Sequence, residues 1–111
     1  MLDINVTTVE QVTIVSLLGE IDAGTAATVQ EKVIPLSVPS CKIILDMTKV
    51  AYMSSAGLRM LLSVYRHISG NKGQVILVGL SDELIDTMSM TGFLTYFTLQ
   101  NTLDAGLQAF S

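Results

Sequence analysis

The chain has little of what marks a nucleic-acid binder, a metalloprotein or a membrane span. It carries six Lys and Arg against ten Asp and Glu, a formal charge of −4. The six cations are scattered, so the clustered basic surface that a phosphate backbone requires is missing and direct nucleic-acid binding is excluded. His67 is the only histidine and Cys41 the only cysteine. No histidine cluster or cysteine pair is therefore available for a metal. A lone cysteine cannot close an internal disulfide, which fits a reducing compartment. Cys41 reads instead as a small apolar residue leading into a strand. No apolar run approaches the roughly 20 residues of a membrane span, and no basic-then-apolar leader precedes the first periodic segment. A soluble, cytoplasmic protein with no membrane association is expected.

Charge is sparse as well, at 14% of 111 residues, while half are hydrophobic. That balance argues for a dense core and against disorder. The length suits one domain, residues 1–111, with a single core.

Leu2, Ile4 and Val6 alternate with polar residues, as in a half-exposed strand. Val9-Glu10-Gln11 turns into the more buried run Val12–Leu18, a short connection that favours an antiparallel pair. Gly19-Glu20-Ile21-Asp22 reads as a loop. A helix is expected from about Thr25 to Leu36, where Ala26, Val29 and Val33 recur at helical spacing. The only two prolines, Pro35 and Pro39, mark its exit. Lys42–Met47 is a strand covered on both faces and ending near Asp46, with Thr48–Met53 as a connecting loop. Leu58, Leu61, Leu62, Tyr65 and Ile68 define one face of a second helix, which Ser69-Gly70-Asn71-Lys72-Gly73 stops. Met60 and Val64 fall outside that face and read as exposed, leaving a monomer or a weak homodimer open.

Gln74–Val78 reads as a buried strand and Ser81 or Asp82 as the cap of a helix ending near Gly92. Tyr96–Leu99 reads as a last strand, and Asn101 or Thr102 as the cap of a final helix. Two strands followed by alternating helices and strands predict one α/β domain. Its sheet is mixed and mostly parallel, with an antiparallel first strand and about four helices.

Catalytic sets fail on inspection. Gly70-Asn71-Lys72-Gly73 lacks the spacing of a phosphate-binding loop and the strand-to-helix setting it needs. A Ser55–His67–Asp46 or Asp22 triad requires direct proton transfer from Ser55 to His67. The two lie 12 residues apart on one helix, about 18 Å along its axis. His67 fits better near the helix C-terminus, where a protonated ring meets the negative end of the dipole.

The junction before the second helix is more informative. Ser54 or Ser55 suits a helix N-cap. A hydroxyl there is also a favourable place for a phosphate, which would face free backbone N–H groups and the positive end of the helix dipole. Arg59, four residues beyond Ser55, is spaced to reach back toward such a phosphate.

Gly19-Glu20-Ile21-Asp22, Ile44-Leu45-Asp46-Met47, Tyr52-Met53-Ser54-Ser55-Ala56-Gly57-Leu58 and Met88-Ser89-Met90-Thr91-Gly92-Phe93 occur in an order that resembles the STAS domains of bacterial anti-sigma factor antagonists. The resemblance spans nearly the whole chain. It implies a protein-binding switch in signal transduction and transcription regulation, not an enzyme, with no cofactor of its own. Its partner would be a serine kinase of the GHKL ATPase type that is also the anti-sigma factor. The unphosphorylated domain binds that partner, phosphorylation releases it, and a PP2C-type phosphatase reverses the change.

Carried onto this chain, the acceptor is Ser55, with Ser54 the lesser choice from the register of Met53 and Gly57. Asp22, Asp46, Met53, Ser54, Ala56, Gly57 and Arg59 form the expected partner-binding set. Two positions depart from the family pattern: Ser54 stands where many members have Asp, and Ala56 where Ser or Thr is common. The competing expectation is a STAS subunit of a transport or signalling complex whose serine is never modified.

Overall fold

The computed structural model describes residues 2–110. Glu10 and Gln11 both have positive φ, 49° and 71°, as in the type I′ turn whose twist matches that of an antiparallel pair. They join β1 (Leu2–Val9) to β2 (Val12–Ile21). Then follow α1 (Ala23–Val33), β3 (Lys42–Met53), α2 (Ser55–Gly70), β4 (Gln74–Val78), α3 (Asp82–Thr91), β5 (Thr98–Gln100) and α4 (Leu103–Ala109). Short 3-10 turns at Ile34–Leu36 and Phe93–Tyr96 finish α1 and lead into β5.

The five strands lie side by side in chain order. β1 is antiparallel to β2 and every later pair is parallel. Each parallel step adds a strand on the same side, so right-handed crossovers place all the connecting helices on one face. Accordingly Val29 of α1, Leu61 of α2 and Met88 of α3 share one core with Val15, Leu45 and Leu77 of the sheet. Only α4, which follows the last strand, reaches the other face. There Leu103, Leu107 and Phe110 pack on Val12, Ile14, Ile44, Ile76 and Val78. The expected mixed α/β architecture with an antiparallel first strand is what the chain forms.

Five expectations need correction. β3 does not stop near Asp46; it stays paired with β2 as far as Met53, through register shifts between Ser16 and Leu18 and between Gly19 and Glu20. β2 likewise runs through Gly19-Glu20-Ile21. The shifts break the period-2 pattern that would reveal a strand. Beyond Met47 only Val50 and Met53 are buried, so the segment looks like a loop.

Met60 and Val64 are not exposed; they are 2% and 0% accessible. α2 is flanked on both sides, with Gln30 Nε2 of α1 donating to Ser63 Oγ at 3.1 Å. Opposite, the Tyr65 ring lies 5.5 Å from those of both Tyr96 and Phe97, tilted against the first and edge-on to the second. Its buried arc is therefore wider than the stripe a sheet alone would cover. α1 starts two residues earlier than Thr25, and Pro35 lies in the 3-10 turn that ends it. Tyr96 belongs to the second 3-10 turn, and β5 begins only at Thr98.

No helix among the described residues is long and apolar enough to cross a membrane.

Candidate functional site

Parallel strands followed by helices bring the helix N-termini to one edge of the sheet. Each is capped by a side-chain oxygen. Asp22 accepts from the backbone N–H of Thr25, Ser54 from Gly57, Ser81 from Leu84 and Thr102 from Ala105. Such caps satisfy donors that have no partner inside the helix. At the ends of β2 and β3 two of these termini are tied together, because the Ser54 N–H donates to the Ile21 carbonyl at 2.8 Å.

The two adjacent serines have different surroundings. Ser54 is half-buried with extended backbone, and its Oγ accepts from the Gly57 N–H at 3.4 Å. Ser55 is the first residue of α2 and is exposed. Its hydroxyl makes no hydrogen bond among the described residues. One serine holds the helix and the other is free for chemistry.

Gly57 determines how close this turn sits to the sheet. A Cβ there would lie 2.3 Å from Met53 Cγ and 2.9 Å from Ile21 Cγ2, separations that real side chains do not tolerate. Met53 and Gly57 are both buried. Their part is to seat the serine turn from beneath, while Ala56 packs half-buried against the same core. Arg59 is exposed one turn further on and makes no ion pair among the described residues.

Asp22 belongs to the same edge. It and Thr25 form a reciprocal cap: the Thr25 N–H donates to Asp22 Oδ1 at 2.9 Å, and the Asp22 N–H donates to Thr25 Oγ1 at 2.8 Å. The Thr25 hydroxyl proton is shared between the Glu20 carbonyl, 3.0 Å away, and Asp22 Oδ1, 3.1 Å away. Hydrogen bonds from the Thr25 N–H and then its hydroxyl hold the Asp22 carboxyl below the usual carboxylate range. Sequence reasoning missed Thr25. Its signal was the Asp-x-x-Thr spacing, a capping box with Thr in the place usually taken by Glu or Gln.

Asp46 stands apart from this group. It pairs across the sheet with Ser16 and Val78, and its Oδ1 accepts from the Thr48 N–H at 3.1 Å and the Thr48 hydroxyl at 2.6 Å. Alternation along β3 puts it on the face of Ile44, which packs with α4, and opposite the face of Leu45, which packs with α2. There it lines a shallow groove of about 310 Å³ with Asn5, Ser16 and Lys49.

His67 is in the last turn of α2, with Nδ1 2.9 Å from the Ser63 carbonyl. It is thus at the end of the helix remote from Ser55. α2 takes in Ser69 and Gly70, which were expected to stop it, and ends at Asn71: the Ser40 N–H donates to the Asn71 carbonyl at 2.9 Å, and Asn71 Nδ2 to the Ser37 carbonyl at 2.6 Å. Burial raises the Cys41 thiol above its ordinary pKa, which disfavours the nucleophilic thiolate. Among the described residues no group of three His, Cys, Asp or Glu converges as a metal site would require.

Residues 3–106 match the family model described as the STAS domain. The chain is 28% identical over 94 residues to an anti-sigma-B factor antagonist of Bacillus subtilis, covering 85% of this chain and 86% of that protein. It is 32% identical over 84 residues to an anti-sigma-B factor antagonist of Listeria monocytogenes, covering 75% and 74% of the two chains. A crystal structure of an anti-sigma factor antagonist from Mycobacterium paratuberculosis superposes with a TM-score of 0.87 at 26% identity, over 98% of this chain and 93% of the other.

Proposed function

The chain belongs to the STAS domain family, and on that premise we propose that it is an anti-sigma factor antagonist whose binding is switched by phosphorylation of Ser55. The observation that carries the reading is the division of labour between the two serines. The Ser54 oxygen accepts a long hydrogen bond from the Gly57 N–H, whereas the Ser55 hydroxyl is exposed at the start of α2 and makes no hydrogen bond among the described residues. The names of the Bacillus and Listeria relatives supply the partner class, an anti-sigma factor.

The partner is a serine kinase of the GHKL ATPase type that doubles as the anti-sigma factor, and a PP2C-type phosphatase resets the site. The kinase contributes nucleotide, metal and base, so this chain needs only to present a hydroxyl. A phosphate on Ser55 adds nearly two negative charges at the sheet edge that also carries the Asp22 carboxylate, one turn before Arg59. The helix N-terminus accommodates those charges without unfolding. A partner docked over the same edge does not, because it would have to desolvate or match them. Release then follows from local electrostatics and needs no large rearrangement.

Of the expected partner-binding set, Asp22, Ser54, Ala56 and Arg59 are the surface part, while Met53 and Gly57 act by positioning. Asp46, on the other face, is outside the contact we propose.

The test is a pull-down with the serine kinase encoded nearest to this protein, comparing wild type with Ser55→Asp. The wild type is expected to be captured and the Asp variant to bind at least tenfold more weakly. Equal capture would remove the phosphorylation switch.

A further inference from the structure

The two edges of the sheet are managed differently. β5 is blunted by its length: it has three residues and a 3-10 turn before it. β1 has eight residues paired to β2 without a register shift, and its substantial packing is with β2 alone. Natural edge strands are usually protected by Lys, Pro or a bulge. β1 contains none of these, and its only charge is Asp3.

The turn geometry identifies its free backbone groups. A two-residue hairpin closes on a hydrogen-bonded pair, here Val9 with Val12. By alternation Asp3, Asn5, Thr7 and Val9 direct their N–H and C=O groups to β2. Leu2, Ile4, Val6 and Thr8 direct theirs outward.

We infer that β1 pairs antiparallel with β1 of a second copy of this chain, making a two-fold dimer with a continuous ten-stranded sheet centred on Asn5. Only this register joins all four outward residues, Leu2 to Thr8 of the copy and Ile4 to Val6, each twice. It places Ile4 against Val6 on the helix-covered face, where Val6 is 45% exposed in the single chain. On the other face Asn5 meets its own copy, and Asp3 lies opposite the Thr7 hydroxyl, which can donate to its carboxylate. No like charges are opposed, so the strand is complementary to itself. Pairing through one strand is small beside a standard interface, so the dimer is weak and reversible. Ser55 follows β3, two strands in from this edge, and remains open to its own partner.

Disulfide trapping tests the register. At a non-hydrogen-bonded antiparallel pair the Cα atoms are about 4.5 Å apart, within bridging distance. Asn5→Cys, mildly oxidised at on the order of 100 μM protein, is expected to give mostly crosslinked dimer. Thr7→Cys in one chain is displaced from its copy by four residues, about 13 Å, and is expected to stay monomeric. Buried Cys41 takes no part. Adding Val6→Lys to Asn5→Cys should reduce crosslinking at least fivefold with an unchanged thermal melt, since Val6 is partly exposed already. Equal crosslinking at positions 5 and 7, or a wild type that sediments purely as monomer at the same concentration, would overturn the proposal. A monomeric result would leave this edge to a strand from a different protein.

Discussion

Replacing Ser54 and Ser55 separately by Ala should divide stability from modification. In Ser54→Ala the Gly57 N–H loses its side-chain acceptor, and loss of an N-cap Ser typically costs about 1 kcal/mol. The bond is 3.4 Å long, beyond the usual N–H···O range. The cost therefore belongs near the lower end, about 0.5–1 kcal/mol, or roughly 2–4 °C in Tm for a domain of this size. The exposed Ser55 hydroxyl has no partner among the described residues to lose, and Ala is the better helix former. Ser55→Ala should be neutral or slightly stabilising, by up to about 0.5 kcal/mol. Thermal and urea unfolding measure the first half. Phosphate incorporation from ATP with the serine kinase measures the second, and should persist in Ser54→Ala and vanish in Ser55→Ala. A Ser55→Ala variant as destabilised as Ser54→Ala, or phosphorylation that disappears with Ser54, would refute the division of labour.

Three further outcomes follow from the same geometry. Gly57→Ala places a methyl group against Met53 and the fully buried Ile21, and urea unfolding should show a loss of about 1–3 kcal/mol; an unchanged midpoint would contradict the close approach. Gln11→Gly relieves a left-handed residue with φ of 71° and should raise stability by about 0.5–1 kcal/mol, read as a higher Tm; a lower Tm would contradict a relaxed type I′ turn. The Asp22 carboxyl is depressed below 3.8 in the folded state by its bonds from Thr25. Its contribution is therefore present above the unfolded value and lost as pH falls through the folded one. Asp22→Asn keeps a capping oxygen without the charge, so the stability gap between wild type and variant should shrink as pH falls through the ordinary carboxylate range and below it, and a constant gap would contradict the assignment.

Much of this was legible in the chain because local signals and global fold agree. The Gln74–Val78 strand and the Gly92 stop follow from residue chemistry within a turn of each position, and the two caps were narrowed to Ser81 or Asp82 and to Asn101 or Thr102, of which Ser81 and Thr102 are the ones used. The hairpin was readable from its short connection, although Glu10 and Gln11 are not residues that normally favour positive φ. What stayed hidden depended on distant partners. Bulges against β2 disguised the second half of β3 as a loop. Flanking by α1 and the Tyr96 turn buried Met60 and Val64, which the pattern along α2 alone left outside.

The candidate site divides the same way. Ser54, Ser55, Ala56 and Gly57 are consecutive, so their grouping was visible, and Asp22 joins them through the contact between the ends of β2 and β3. Which serine caps and which is free depends on a single hydrogen bond. Which face Asp46 occupies depends on strand parity and on where α4 folds. The register of Met53 and Gly57 favours Ser55 as acceptor and parity puts Asp46 beside Ile44, but neither the bond that engages Ser54 nor the position of α4 is a property of spacing in the sequence.

The most direct test is to map the phosphate itself. Wild-type protein incubated with ATP and the serine kinase encoded nearest to it should yield, in fragmentation mass spectrometry of the peptide spanning Met53–Arg59, one phosphate on Ser55. A phosphate on Ser54, or none on either serine, would contradict the account.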